Sequence, residues 1–192
     1  MTTPTITDYL KYANLQMAAE AFIRDEQTGI LAATPQDIRR ALQQGNLHAS
    51  KFTESESIKF EREWKVLDQR ANTATGFSGT LFENKTTGEL VVSFRSTEFV
   101  DDAVRDSAAT NTLEISNTGW AWGQIADMEK WYADLKANPA LLGNSAFSVT
   151  GYSLGGHLAT AFNLLHPGAA QQVVTFNGAG VGLVELKGSA SH

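Results

Sequence analysis

The stretch Gly151-Tyr152-Ser153-Leu154-Gly155-Gly156 constrains the fold of this chain more than any other. An apolar run, Ala146 to Thr150, precedes it and reads as a buried strand. A run from Gly156 to Leu165, Gly-His-Leu-Ala-Thr-Ala-Phe-Asn-Leu-Leu, follows it and reads as a helix. A Gly-x-Ser-x-Gly turn between strand and helix is the setting of a nucleophile elbow. A serine on so tight a turn points its hydroxyl away from the backbone, and flanking glycines remove side chains that would collide there. The helix start aims free N–H groups and a partial positive charge at any anion formed beside the serine. The competing reading is a glycine-rich turn whose serine only caps the helix.

The remaining pattern fits a sheet built around that turn. Residues 6–25 are expected to form an amphipathic helix with Ile6, Leu10, Ala13, Met17 and Ala21 on its apolar face and Gly29 beyond its end. Thr34-Pro35 opens a second helix that runs through Ile38, Ala41 and Leu42 to Gly45. Thr53-Glu54-Ser55-Glu56 is a capping box and opens a third, shorter one. From Trp64 the period changes to two. Strands are predicted over 64–70, 77–83 and 89–95, with hairpin chemistry in Asn84-Lys85-Thr86-Thr87-Gly88. Helices are predicted over 99–109 and 120–137. The aromatics of the second (Trp120, Trp122, Trp131 and Tyr132) serve either as packing against the sheet, the favoured reading, or as an acyl-binding wall. A last buried strand is predicted over 172–176, joined to the elbow strand by a parallel crossover. The fold class is therefore α/β. A helical N-terminal segment (1–62) precedes a core (63–182) in which antiparallel strands come first and parallel strands follow around the elbow, all in a single domain.

Composition removes several classes of function. A net charge of −6 argues against nucleic acid, whose phosphates require a basic surface. The absence of cysteine excludes disulfides, thiolate metal sites and a cysteine nucleophile. The N-terminus lacks the basic and apolar regions of a secretory signal, and no apolar run approaches a membrane span. A soluble protein is expected, cytoplasmic or exported without a leader. Glu98, Asp101, Asp102 and Asp106 lack the spacing and central glycine of a Ca²⁺ loop. No metal or cofactor is expected.

A nucleophilic serine needs a second N–H donor from another strand end. The third strand ends in Phe94-Arg95-Ser96-Thr97, followed by Asp102-Ala103-Val104-Arg105-Asp106. Here the chain resembles the class 3 lipases, α/β-hydrolases whose corresponding strand ends in Phe-Arg-Gly-Thr/Ser, with Asp-Trp-x-x-Asp beyond it. The segment Thr175-Phe176-Asn177-Gly178-Ala179-Gly180-Val181-Gly182 is also similar to that family, and Thr150 to Ala159 looks like large bacterial lipases. The likeness spans roughly residues 60–182. It implies an α/β-hydrolase-like fold and hydrolysis of an acyl ester or lipid, with room for transient contact with a lipid surface. Ser153 would be the nucleophile, with the N–H groups of Leu154 and Thr97 forming the oxyanion hole. Ser96 stands where the family has Gly, Ala103 where it has Trp, and Tyr152 where His is commoner.

The triad's base and acid are missing from this pattern. After Ser153 the chain has no Asp, one Glu (Glu185) and three histidines, His157, His166 and His192. His157 lies one turn into the elbow helix and is expected to pack within the fold. His166 is expected to cap a helix C-terminus, and His192 ends the chain. In the family the acid and histidine come later than this sequence reaches. The expectation is therefore the N-terminal portion of a longer lipase-like domain, weakly active or inactive alone. Two alternatives stay open: another acyl hydrolase or acyltransferase on the same scaffold, and a non-catalytic hydrolase-like binding module.

Overall fold

The computed structural model describes residues 5–46, 51–96 and 115–182. Three helices come first: α1 (Ile6–Ala19), α2 (Pro35–Gln44) and α3 (Glu54–Glu63). Strands β1 (Trp64–Arg70), β2 (Gly79–Asn84) and β3 (Leu90–Phe94) follow, then α4 (Trp122–Ala137), β4 (Phe147–Tyr152), α5 (Leu154–Leu165) and β5 (Gln172–Phe176). The sheet order is β1-β2-β3-β4-β5. The β1/β2 and β2/β3 pairs are antiparallel, and the β3/β4 and β4/β5 pairs are parallel. This is a mixed α/β sheet with its antiparallel strands first. The C-terminal ends of β1, β3, β4 and β5 consequently share one edge.

Period-two side chains divide the core between the two faces. Leu81, Val92, Phe94 and Val149 face Met128, Trp131 and Leu135 of α4 and Leu158 and Phe162 of α5. Phe82, Val91 and Val174 face Tyr12, Leu15 and Ala18 of α1, together with Ile38, Leu42 and Phe60 of α2 and α3. The aromatic residues around α4 mostly serve packing. Trp131 is buried among Phe77 and Phe94, Tyr132 meets Phe147 and Phe162 ring to ring, and Trp120 is buried; Trp122 is exposed.

Helix starts follow their caps. Thr34 accepts from the N–H of Asp37, Thr53 and Glu56 close the expected capping box, and Gly45 ends α2 at φ +60°. Thr5 and Asp8 form a further box at the start of α1. Hydrogen bonds from Thr53 hold the Glu56 carboxyl below its ordinary range.

The reading of residues 6–25 requires correction. The helix stops at Ala19, and its buried face is Tyr12, Leu15, Ala18 and Ala19, while Ile6 and Leu10 are exposed. The cause is tertiary. Gln69, 2% exposed, accepts the N–H groups of Ile23 (2.8 Å) and Arg24 (2.7 Å) at Oε1. Its Nε2 donates to Ala21 O and Thr80 Oγ1, both at 2.9 Å. The backbone after Ala19 is thus drawn off the helix axis onto the sheet. Arg24 then bridges Leu31 in antiparallel fashion. Strand β2 also begins two residues later than expected, at Gly79, because the Phe77 N–H is taken by Thr73 Oγ1 in the preceding turn. The helix expected over 99–109 lies outside the described residues. Among the described residues no helix is long and apolar enough to cross a membrane.

Removing the Gln69 amide leaves buried backbone groups of residues 21, 23 and 24 unpaired. Gln69→Leu is expected to lose about 2–4 kcal/mol of stability in urea unfolding. Gln27→Leu, in an exposed turn, should change stability by less than about 0.5 kcal/mol. Equal effects would show that Gln69 does not anchor this segment.

Candidate functional site

Ser153 occupies the single residue between β4 and α5, at φ +51° and ψ −116°. Among the described residues only Ser153 and Asn177 combine positive φ with a side chain. Such a conformation costs about 1–3 kcal/mol and persists only where the surroundings impose it. Three backbone bonds do so. The Ser153 N–H donates to Phe176 O at 3.0 Å, and Ser153 O accepts from the N–H of His157 at 3.0 Å and of Ala179 at 3.2 Å.

The glycines around Ser153 are sites of backbone-to-backbone contact. A Cβ on Gly151 would lie 2.2 Å from Gly155 O, and one on Gly155 would lie 2.2 Å from Phe94 O. A Cβ on Gly156 would lie 2.7 Å from the Cα of Gly178. The missing side chains therefore let the start of α5 touch its own strand, the end of β3 and the loop after β5. The parallel register pairs Phe94 with Gly151, so the end of β3 runs directly beside the turn.

The serine does not act as a helix cap. Its side chain makes no capping hydrogen bond, and it is partly exposed beside the exposed ring of Tyr152. Among the described residues no backbone carbonyl accepts the Leu154 N–H, as befits the first residue of a helix. A partly exposed hydroxyl thus stands next to an amide that has no backbone acceptor among the described residues, at the positive end of α5.

The other expected donor, Thr97, lies outside the described residues, as do Glu98, Asp101, Asp102, Asp106, Glu185 and His192. The described chain stops at Ser96, which keeps an ordinary negative φ and needs no glycine. Sequence reasoning missed what holds this strand end. Glu20, 1% exposed at the C-terminus of α1, accepts the Ser96 N–H at 2.9 Å and Gln16 Nε2 at 3.0 Å. A carboxylate at a helix C-terminus opposes the dipole, and that mismatch was the available signal. Asn177 was the other omission. An Asn-Gly pair tolerates positive φ, and the turn at 177–178 brings Gly178 against Gly156.

Neither described histidine after Ser153 can serve it as a base. His157 is fully buried. Its Nε2 accepts the Ala121 N–H at 3.2 Å, which leaves Nδ1–H to donate to Gly180 O at 3.0 Å. The ring is a strut between the start of α4 and the loop after β5. His166 ends α5, whose 12 residues carry it about 18 Å from Ser153. It is the C-cap residue of α5, as expected, with its backbone N–H donating to Phe162 O at 2.8 Å. Its side chain meets the Glu129 carboxylate at 2.8–2.9 Å, between the rings of Tyr132 and Phe162. Burial, with the nearby charge of Glu129, pushes the Tyr132 phenol up. Among the described residues no group of three or more His, Asp or Glu side chains could hold a metal.

No protein-family model matches this chain, and no curated protein matches it. Among solved structures it is similar to the lipase from Rhizopus microsporus var. chinensis, at 13% identity and a TM-score of 0.40. The match covers 91% of this chain and 58% of that one, so the chain spans little more than half of that lipase's length. A likeness of that size carries no argument about chemistry.

The backbone strain at residue 153 is directly measurable. Glycine ordinarily destabilises relative to alanine by about 0.5–1 kcal/mol. At this φ and ψ the order should reverse, with Ser153→Gly more stable than Ser153→Ala by about 1 kcal/mol in urea unfolding. The ordinary order would mean that Ser153 has a relaxed backbone.

Proposed function

We propose that this chain carries the nucleophile and oxyanion side of a serine carboxylic-ester hydrolase, lipase or esterase in type, on an α/β-hydrolase-like scaffold. The observation that supports this reading best is the strained, uncapped Ser153 beside the N–H of Leu154, which no backbone carbonyl accepts among the described residues. In this reading the turn is a nucleophile elbow. Ser153 Oγ attacks the ester carbonyl carbon, and the tetrahedral oxyanion is held by the N–H of Leu154 and, following the class 3 lipase resemblance, by that of Thr97. The C–O bond to the alcohol then breaks. The alcohol leaves with the proton lost by Ser153, and water cleaves the resulting acyl-enzyme. An acyl ester or lipid is the substrate.

That proton needs a carrier, and neither described histidine after Ser153 is placed to be one. His157 has both ring nitrogens engaged with backbone groups, and His166 is at the far end of α5. Sites stripped of a triad member retain only about 10³–10⁴-fold acceleration over water. The same observation favours a second reading, a non-catalytic module that uses the scaffold to bind a ligand.

Chemical rescue separates the two. Hydrolysis of a short-chain nitrophenyl ester should be feeble in plain buffer. Imidazole supplied from solution should raise it severalfold above Ser153→Ala in the same imidazole. Equal rates for both proteins at every imidazole concentration would remove the hydrolase reading. Rapid turnover without imidazole, abolished by Ser153→Ala, would mean that the chain holds its own base.

A further inference from the structure

A cavity of about 450 Å³ opens at the C-terminal end of β1. It shares the sheet edge that carries Ser153 but lies three strands away, about 14 Å. Its walls include Arg24, Asp68, Gln69, Arg70, Asn72 and Thr73.

Most of these polar groups are already committed. The Arg24 guanidinium pairs with Asp68 Oδ1 at 2.5 Å, and donates to Gly29 O at 2.7 Å and Gln69 O at 2.5 Å. The second oxygen of Asp68 accepts Trp131 Nε1 at 2.8 Å. Arg24 and Asp68 thus neutralise each other with both carboxylate oxygens in use. The Gln69 amide holds residues 21–24 and Thr80, and Thr73 Oγ1 pairs with Thr75 and accepts the Phe77 N–H.

Arg70 is different. Its Nε is buried with no hydrogen-bond partner, and among the described residues no carboxylate pairs with its guanidinium. Beside it, the Asn72 amide oxygen is taken by Arg95, which leaves the Asn72 NH₂ as a donor. The wall therefore presents one uncompensated positive charge and several N–H donors. A buried donor without an acceptor is costly, and a planar guanidinium matches an oxyanion in a two-point contact. The volume falls within the range of small-molecule pockets and exceeds what a bare inorganic ion would fill.

We infer that this cavity binds the carboxylate or phosphate group of a small organic anion, held by the Arg70 guanidinium and the Asn72 amide. The anion is either a free solute or the headgroup of an anionic lipid. The site does not depend on the chemistry assigned to Ser153.

The test is titration of the intact chain followed by the side-chain Nε–H resonance of Arg70 in ¹H–¹⁵N NMR. Three probes are used at matched ionic strength: sn-glycerol 3-phosphate, butanoate, and phosphatidylglycerol vesicles against phosphatidylcholine vesicles, with chloride as the control. At least one probe should shift the Arg70 Nε–H saturably, or attenuate it on vesicle binding, and chloride should not. The effective probe identifies the source of the anion. Arg70→Gln should weaken that binding at least tenfold, and Arg70→Lys, which keeps the charge without the fork, by an intermediate factor. Ser153→Ala should bind as the wild type does, so that failure of the hydrolase reading leaves this result unaffected. The assignment is overturned if no probe moves the Arg70 Nε–H, if chloride does so equally, or if a folded Arg70→Gln binds as tightly as the wild type.

Discussion

The carbonyl oxygen of Phe94 lies 2.2 Å from the point where residue 155 would carry a Cβ. Nothing larger than hydrogen fits there, and the remaining geometry follows. Because the first turn of α5 can press against the end of β3, β4 can stop at Tyr152 and the helix can begin at Leu154 with a single residue between them. That residue is Ser153, and it takes up the whole change of direction at φ +51°. The loop after β5 closes the arrangement from the other side through Phe176 O, the Ala179 N–H and the contact of Gly156 with Gly178. Strain at one residue is thus maintained by three separate backbone segments.

The buried polar groups nearby extend this support. Glu20 ties the end of α1 to the amide of Ser96, 76 residues away, at the strand end beside the turn. His157 ties the start of α4 to the loop after β5. Both are ionisable residues with almost no exposure, and both are occupied with backbone groups. Hydrogen bonds between buried polar groups and distant backbone rigidify what they touch, here through one oxygen of Glu20 and both ring nitrogens of His157. The histidine closest in sequence to Ser153 is therefore structural, and His166, which meets the Glu129 carboxylate, is a helix length away.

Local chemistry was legible in the sequence wherever the deciding contacts were local. The Thr34-Pro35 start and Gly45 stop of α2 and the Thr53–Glu56 box of α3 depend on neighbours within a few residues. The Gly-x-Ser-x-Gly-Gly stretch was legible for the same reason, since its glycines announce a crowded turn. Contacts from far along the chain were not legible. The early end of α1 is imposed by Gln69, 46 residues beyond Ile23, and no periodicity in 6–25 records it. The face of α1 was misjudged because Ile6 and Leu10 keep the same spacing as residues that do reach the sheet. The irregular register between Val66 and Asp68, beside the contacts of Asp68 with Arg24 and Trp131, leaves no mark in composition or spacing. At the turn, the tight bend at Ser153 was legible and the contact of Glu20 with Ser96 was not.

The most direct measurement is a crystal structure of the chain after prolonged reaction with an alkyl fluorophosphonate, which mimics the tetrahedral state of ester cleavage. The expected result is phosphorus bonded to Ser153 Oγ, with residue 153 still at positive φ and a phosphonyl oxygen about 2.7–3.1 Å from the Leu154 nitrogen. An unmodified Ser153, or an adduct whose oxygens all turn away from Leu154, would contradict a strained serine built to hold an oxyanion.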